Sequence, residues 1–273
     1  MKFALIENNR VEASPNQKGL CPNCNRPVIA KCGDKNVWHW AHRNLSSCDS
    51  WWEPETEWHR NWKNKFPPEW QEKVFFDEDT NEKHIADVYT NYKLVIEFQH
   101  SHIDPKERTK REAFYKNMIW VVDGTRLKRD YSRFLKGKEY FKEIRKGIFR
   151  LELPEEYLPS SWLNSGCPII FDFMGSVDPS KINTSLVATP NVLYCLFPIN
   201  IGMECIIAEI SSNAFISSVI NGQWSVRADR FISEIIQVKK ERQAQIEILQ
   251  KRNNSTLLQK HIGNVTTYNR RRF

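Results

Sequence analysis

The sequence predicts an α/β protein in which a small metal-binding module precedes the α/β unit and an α+β region follows it. Three observations lead to this class. Residues 54–122 read as helix, strands, helix and strand, an order that is typical of an α/β unit. Cysteine and histidine are concentrated in residues 21–48. After about residue 160, several strand-like segments precede one long helical segment.

The composition is that of a globular protein with its own core. The chain has 273 residues, of which 40% are hydrophobic and 27% are charged, and its formal net charge is +7. This content excludes dominant disorder. No run of about 18 apolar residues occurs, so we expect no spanning helix and no membrane partner. The first residues lack the apolar stretch of a secretory signal, so we expect a cytoplasmic protein with reduced cysteines.

Local patterns place the individual elements. A helix is predicted from about Pro54 to Phe66, because proline suits a first helical position and Pro67-Pro68 ends the segment. The chain before residue 20 favours a short hairpin. The other predicted elements are strands over 73–76, 84–90, 94–100, 118–122, 169–173, 192–197 and 204–210, and helices over 105–117 and 227–250.

These elements divide the chain into three parts. We expect a metal-binding module over residues 1–52, a core over 53–152, and a C-terminal α+β region over 160–273 whose role the sequence does not specify. Seven of the ten tryptophans lie in the first 70 residues. Most of them are expected in the core of the first two parts, and one or two exposed indoles would suit base stacking on single strands.

A cluster of cysteines and histidines predicts a structural zinc site. Cys21 and Cys24 form a C-x-x-C pair, which lets two thiolates reach one ion, and Cys32, His39, His42 and Cys48 follow closely. We expect Cys21, Cys24, His42 and Cys48 as the ligands, with His39 as the alternative to His42. Four protein ligands make a closed site, and closed zinc sites are structural.

Two carboxylates on a predicted hairpin suggest a second metal site. Asp87 and Glu97 lie opposite each other only if the loop between their strands has an odd number of residues, as a loop of Asn91, Tyr92 and Lys93 would. Close carboxylates repel unless a cation lies between them, and Mg²⁺ or Mn²⁺ suits oxygen ligands. Gln99 can orient a metal-bound water, and Glu57 on the preceding helix is a candidate outer ligand. The plain alternative is two ordinary solvent-facing strand residues.

Several motifs together resemble a known family. Glu57, Asp87 and Glu97-Phe98-Gln99 resemble the restriction-endonuclease-like superfamily, PD-(D/E)xK, with Gln replacing Lys. Their order is similar to that of the competence protein CoiA-like nucleases, and the motifs that carry this likeness are Cys21-Pro-Asn-Cys24, Trp38-His39-Trp40-Ala41-His42, Glu57-Trp58-His59, His84-Ile85-Ala86-Asp87 and Ile96-Glu97-Phe98-Gln99-His100-Ser101. The resemblance implies a zinc-finger-like N-terminal module and a nuclease core with a mixed sheet flanked by helices.

The function that follows is a Mg²⁺- or Mn²⁺-dependent deoxyribonuclease. Asp87 and Glu97 would bind the ion, Glu57 would support it and Gln99 would position water. The basic helix would lie beside the hairpin, so Arg108, Lys110 and Arg111 are candidates to contact DNA phosphates. The alternative is a DNA-binding accessory protein in DNA uptake, recombination or defence that does not cleave. Neither the oligomeric state nor any protein partner follows from the sequence.

Overall fold

A computed structural model describes residues 1–43, 48–78, 80–173, 192–201 and 203–269. The chain forms two compact units, residues 1–226 and residues 227–273. Among the described residues, the first unit contains two sheets and four helices, and the second consists of most of one long helix.

The N-terminal sheet is made of five short strands. They are β1 (Phe3–Ile6), β2 (Asn9–Glu12), β3 (Lys18–Leu20), β4 (Pro27–Lys31) and β5 (His39–His42). All pairs are antiparallel, in the order β2-β1-β3-β4-β5. Glu7 and Asn8 both have positive φ, as a two-residue hairpin turn requires. The sequence predicted this hairpin but not β4 and β5, which are too short to show a clear alternation of apolar residues.

The second sheet contains nine strands and is mixed, as predicted. They are β6 (Gln71–Phe76), β7 (Lys83–Tyr89), β8 (Val95–Gln99), β9 (Met118–Asp123), β10 (Lys142–Arg145), β11 (Ile148–Glu152), β12 (Ile169–Asp172), β13 (Val192–Ile201) and β14 (Glu204–Ser211). Their order is β10-β11-β14-β13-β12-β9-β8-β7-β6. The β8–β9 and β9–β12 pairs are parallel, and the others are antiparallel.

The sheet crosses the boundary that the sequence suggested near residues 152–160. Strands β12 to β14 lie beyond that boundary and pair into the same sheet as β6 to β9. The intervening segment contains two short 3₁₀ turns, Pro154–Glu156 and Ser160–Trp162. Proline and serine indicate a connection, but an apolar run does not reveal which strand it pairs with, so a connection within one sheet resembles a linker between domains.

In the part of the first unit that the structure describes, the helices are α1 (Glu57–Lys63), α2 (Pro105–Tyr115), α3 (Lys128–Lys138) and α4 (Ser212–Ile220). Helix α1 begins later than predicted because Thr56 is its N-cap, where the Thr56 hydroxyl accepts a hydrogen bond from the His59 amide. Helix α2 begins at Pro105 as predicted, with Asp104 as its cap. Helices α3 and α4, and strands β10 and β11, were not predicted.

Tryptophans of α1 join this helix to the sheet. The Phe98 ring on β8 stacks on Trp62, with ring centroids 5.9 Å apart. The indole nitrogens of Trp58 and Trp62 donate hydrogen bonds of 3.0 Å and 2.9 Å to one carboxylate oxygen of Asp172 on β12. As expected, several tryptophans are core residues, namely Trp40, Trp58, Trp62 and Trp70. The helix therefore has a fixed position against β8.

Most of helix α5 (Trp224–Asn269) belongs to the second unit, and its first residues belong to the first unit. The sequence predicted a helix over 227–250, so the observed helix is longer at both ends. Within the described parts of the chain, no helix is both long and apolar enough to cross a membrane.

Candidate metal centre and carboxylate site

Four side chains of the N-terminal sheet converge to form what we call the Cys₃His cluster. Cys21 and Cys24 lie on the turn between β3 and β4, His42 ends β5, and Cys48 follows it. Their ligand atoms all lie within 4.8 Å of one another. The turn is closed by a 2.9 Å hydrogen bond from the Asn25 amide to the Cys21 carbonyl, and pairing of β4 with β5 brings His42 beside it.

The cluster has the chemistry of a cation site. The sulfur atoms of Cys21 and Cys48 are 3.5 Å apart, and Cys24 Sγ is 3.2 Å from His42 Nε2. The hydrogen bond with Cys48 lowers the pKa of Cys21 to about 5, and the same bond raises the pKa of the Cys48 thiol. Three thiols and one imidazole are a donor set that zinc prefers. The residues present therefore fit a zinc ion.

The structure separates the two candidate histidines. His42 joins the cluster, whereas His39 Nδ1 donates a hydrogen bond to the Val37 carbonyl at 2.9 Å. Cys32 packs against the small core of the N-terminal sheet and lies outside the cluster. Spacing alone left the choice between the histidines open. Side chains alternate along β5, so residues 40 and 42 lie on one face of the strand and residues 39 and 41 on the other. This alternation decides between the two histidines.

The β7–β8 hairpin has the register that the metal hypothesis requires. Val88 pairs with Ile96 and Tyr89 with Val95, and the Thr90 amide donates to the Leu94 carbonyl at 2.9 Å. The loop therefore contains three residues, and Lys93 adopts the positive φ that such a turn uses. An odd loop was predicted, and this register brings Asp87 level with Glu97.

At this level the two strands exchange side-chain hydrogen bonds. The Asp87 amide donates to Glu97 Oε1 at 3.2 Å, and the Phe98 amide donates to Asp87 Oδ2 at 2.9 Å. Burial, and then the neighbouring Asp87 carboxylate, raise the pKa of Glu97 well above its ordinary value. Burial also acts to raise the pKa of Asp87, but attraction to His59 and Lys63 outweighs it, so the pKa of Asp87 is lowered.

Two residues of α1 hold Asp87 from the other side. His59 Nε2 donates to Asp87 Oδ2 at 2.8 Å, and Lys63 Nζ lies 3.1 Å from Asp87 Oδ1. Lys63 Nζ is also 2.9 Å from Glu72 Oε1 and 3.5 Å from Glu55 Oε1. Burial alone would lower the pKa of Lys63, but these three carboxylates raise it. The ammonium is therefore charged, buried and part of what we call the carboxylate site: Asp87, Glu97, Gln99, His59 and Lys63.

Residues 49–55, which we call the connecting segment, link the Cys₃His cluster to this site. Asp49 accepts hydrogen bonds of 2.8 Å from both His84 Nδ1 and the Ile85 amide on β7. The Trp51 ring stacks on His84 with centroids 3.2 Å apart, and the Trp51 carbonyl accepts a 2.9 Å bond from Arg111. The segment thus contacts the strand that carries Asp87 directly after the last cysteine of the cluster.

A cavity of about 210 Å³ lies between these elements. Its acidic lining residues are Asp49, Glu53, Glu55, Glu72, Asp87 and Glu97, and its lysine and arginine are Lys63 and Arg111. An excess of carboxyl groups over such cations repels phosphate and attracts metal ions. The sequence placed Lys63 near Glu57 but gave it no role, and it did not indicate Glu53, Glu55 or Glu72 as lining residues, because the lining comes from separate elements and forms no local motif.

The structure places Gln99 in the cavity and leaves Glu57 out. Gln99 Nε2 donates to Glu53, and to the carbonyl and hydroxyl of Ser101, both at 3.2 Å. Glu57 is exposed on the first turn of α1 and does not line the cavity, so the structure contradicts its placement as an outer ligand. The cap at Thr56 explains the difference, because Glu55 lies before the helix and points inward.

The three predicted DNA contacts differ from one another. Arg108 is buried, and its guanidinium donates to the carbonyls of Ser161 and Asn164 and pairs with Glu112 at 3.2 Å. It is therefore a packing residue, and the prediction of a phosphate contact is wrong for it. Arg111 lines the cavity beside Glu97 Oε2 at 3.4 Å, and Lys110 is exposed.

Two models of one protein family match the chain in sequence. The N-terminal domain of competence protein CoiA matches residues 5–50, and the nuclease-like domain of competence protein CoiA matches residues 71–146. The first match spans the Cys₃His cluster, and the second spans Asp87, Glu97, Gln99 and Arg111. No curated protein and no solved structure matches the chain. Both domains match in this order, which supports the CoiA-like nuclease family that the motifs resemble.

Proposed function

We propose that this protein is a metal-dependent nuclease that hydrolyses DNA phosphodiester bonds, with Asp87 and Glu97 as ligands of Mg²⁺ or Mn²⁺. The observation that carries the proposal is the hairpin register, which brings the half-buried Asp87 carboxylate level with the buried Glu97 carboxylate in one cavity. The nuclease-like domain of the family covers both residues. The substrate class and the metal are our inference.

The charge of the cavity supports a requirement for a cation. Glu97 is buried beside Asp87, and this unfavourable arrangement would be relieved by a divalent ion that both carboxylates contact. Mg²⁺ takes oxygen ligands and keeps several waters, so two carboxylates are enough protein ligands. When bound, such an ion would activate water and neutralise charge on the scissile phosphate.

The other residues of the carboxylate site take supporting roles. Gln99 Nε2 is held by Glu53, which fixes the amide and leaves the carbonyl oxygen oriented to accept a hydrogen bond from a water. Position 99 carries Gln where the superfamily pattern has Lys. In this chain Lys63 supplies an ammonium to the same cavity from α1, 3.1 Å from Asp87. It holds Asp87 in place and offsets phosphate charge.

In this proposal, the Cys₃His cluster binds a structural zinc ion. All four ligands come from protein, so no open position remains for substrate. Its contribution to the reaction is indirect, through the connecting segment that contacts β7 and Arg111.

The test is Mg²⁺- or Mn²⁺-dependent degradation of linear, circular, single-stranded and branched DNA. We expect cleavage by wild type, and a loss of several orders of magnitude in Asp87→Asn and Glu97→Gln, because each removes one negative ligand and keeps the shape of the side chain. Glu57→Gln is the matched control, since it changes an exposed acid outside the cavity and should retain activity.

The second candidate is a DNA-binding accessory protein without cleavage. One observation favours it. His59 and Lys63 contact the oxygens of Asp87, and Arg111 contacts an oxygen of Glu97, so these oxygens already have partners other than a metal ion. This candidate predicts that wild type cleaves none of the four substrates with either metal. It also predicts equal DNA affinity for wild type and Glu97→Gln. That pair of results would exclude the enzyme.

A further inference from the structure

One aromatic side chain of the cavity wall is exposed. Trp52 has 49% of its surface exposed and lines the cavity that holds Asp87 and Glu97. Neighbouring tryptophans such as Trp40 and Trp58 are buried. Aromatic side chains commonly line ligand-binding cavities, and an exposed indole in the wall of this one is accessible to a ligand.

The backbone on both sides of this indole is fixed. The Trp51 amide donates to Asp49 Oδ1 at 2.9 Å, and the Trp52 amide donates to the Asp49 carbonyl at 3.3 Å. On the other side, Glu53 accepts a hydrogen bond from Gln99. Trp51 stacks inward on His84, so the backbone that carries Trp52 is preorganised, and only the indole itself has to be ordered when a ligand binds.

The chemistry of this wall favours a nucleobase over a phosphate as its ligand. The cavity is rich in carboxyl groups, which repel phosphates that no cation accompanies. A nucleobase is neutral at its faces and stacks on an indole with little dependence on sequence. In a duplex, neighbouring base pairs cover those faces, and exposing one requires energy for unstacking. The wall therefore suits an unpaired base.

We propose that Trp52 is a stacking platform for an unpaired base, and that the cavity accepts a single-stranded segment of DNA. The inference rests on the proposed function for the identity of the ligand as nucleic acid, but it concerns binding and not cleavage. Stacking on one aromatic side chain changes the affinity for single strands by about tenfold to a hundredfold.

The experiment measures the affinity of a labelled single-stranded oligonucleotide and of its duplex. Ca²⁺ replaces Mg²⁺, and a gel confirms that the DNA stays intact. Trp52→Leu should weaken single-strand binding by about tenfold to a hundredfold and leave duplex binding unchanged. Trp52→Phe should retain most of the affinity, because it keeps an aromatic face.

Trp38→Leu is the matched control. Trp38 is a second tryptophan with a nearly equal exposed fraction, 48%, but it does not line the cavity. Its substitution should leave single-strand affinity unchanged. Equal zinc content and circular dichroism spectra will show that the variants are folded.

An abasic site introduced at each position of the oligonucleotide identifies the stacked base. At one position its removal should cost wild type as much as Trp52→Leu does, and should cost the variant nothing further. Single-strand affinity that is unchanged in Trp52→Leu, or equal losses in the Trp38 and Trp52 variants, would overturn the inference. A wild type that binds through Trp52 but cleaves no DNA would overturn only the proposed function.

Discussion

The Cys₃His cluster and the carboxylate site differ in how far apart their residues lie in the sequence. The cluster comes from residues 21–48, and ligand chemistry and spacing indicated its members, except that the choice between His39 and His42 stayed open. The carboxylate site combines α1, β7 and β8, and its cavity adds β6, α2 and the connecting segment. Local spacing thus indicates most of a site whose residues lie within a short stretch of chain. A site built on several elements depends on packing that no short motif records.

The two regions are nevertheless joined by a short piece of chain. Cys48 is followed at once by Asp49, which bonds to β7, and by Trp51, which bonds to Arg111 beside Glu97. At the other end of the module, the amides of Lys2 and Phe3 donate to the buried Glu72 carboxylate at 2.6 Å and 3.0 Å. A change in the cluster should therefore be transmitted to the carboxylate site.

The largest effect is expected when the cluster loses a ligand. Cys21→Ala should remove zinc and unfold the N-terminal sheet, because structural zinc contributes on the order of 10 kcal/mol to folding in small fingers. Nuclease activity should fall with it, since Asp49 and Trp51 lose their anchor. Elemental analysis, proteolysis and DNA cleavage measure the three consequences.

Cys32→Ala is the control for this prediction, because Cys32 lies outside the cluster. It should keep about one zinc per chain and normal cleavage. Wild type without zinc, purified in the absence of chelators, would refute the zinc assignment. A zinc-free variant with full nuclease activity would show that the two regions are independent.

The second largest effect should come from the buried lysine. Lys63→Gln leaves Glu55, Glu72 and Asp87 without the ammonium that they share. Removing one partner from a buried ion pair costs about 3–5 kcal/mol, so the free energy of unfolding in urea should fall by that amount. Cleavage should fall as well, while the zinc content stays the same.

Lys65→Gln is the matched substitution for Lys63. Lys65 is exposed two residues away and lies over the Trp62 ring, 5.4 Å from its centroid. Its loss should change the free energy of unfolding by less than about 1 kcal/mol. If both variants unfold at the same urea concentration as wild type, the ion network around Lys63 is not a stabilising feature of the site.

Smaller effects are expected from substitutions on α2, where Arg108 should affect stability and Lys110 should affect DNA binding. Arg108→Ala should lower the free energy of unfolding by about 1–3 kcal/mol, because the Glu112 carboxylate and two carbonyls lose a buried donor. Lys110→Ala should leave stability unchanged and reduce the slope of log affinity against log salt by roughly one if it contacts a phosphate. A smaller salt slope in Arg108→Ala, without a loss of stability, would instead support the predicted contact of Arg108 with phosphate.

The errors of the sequence analysis on α1 and α2 have one physical origin. A sequence shows the charge of Arg108 but not the carbonyls of Ser161 and Asn164 that its guanidinium meets. Likewise, Glu55 and Glu57 are both acids near a helix start. Only the cap at Thr56 decides that the first lies against Lys63 and the second in solvent. Both decisions depend on geometry that charge patterns do not contain.

The successes have an equally specific origin. The Asp87–Glu97 register followed from counting a three-residue loop, and the structure confirms it, because side-chain alternation in a hairpin leaves few choices. The nine-stranded sheet could not be assembled in this way. The apolar runs of β12 to β14 predicted strands correctly, but their neighbours β9 and β11 are far away in sequence and are selected by packing.

The smallest expected effect comes from a substitution within the carboxylate site that introduces the lysine of the PD-(D/E)xK pattern, which the motifs resemble. Gln99→Lys places an ammonium where Gln99 now donates to Glu53, so the new side chain should pair with that carboxylate and remain in the cavity. Because Lys63 already supplies an ammonium there, we expect cleavage to stay within about tenfold of wild type, or about 1.4 kcal/mol in activation free energy. Gln99→Ala should lose more activity than Gln99→Lys, since it removes the hydrogen bond to Glu53.

The double variant Gln99→Lys with Lys63→Gln gives the sharpest comparison. If one ammonium replaces the other, it should regain part of the activity that Lys63→Gln loses, and a double variant no better than Lys63→Gln alone would show that the two positions are not equivalent.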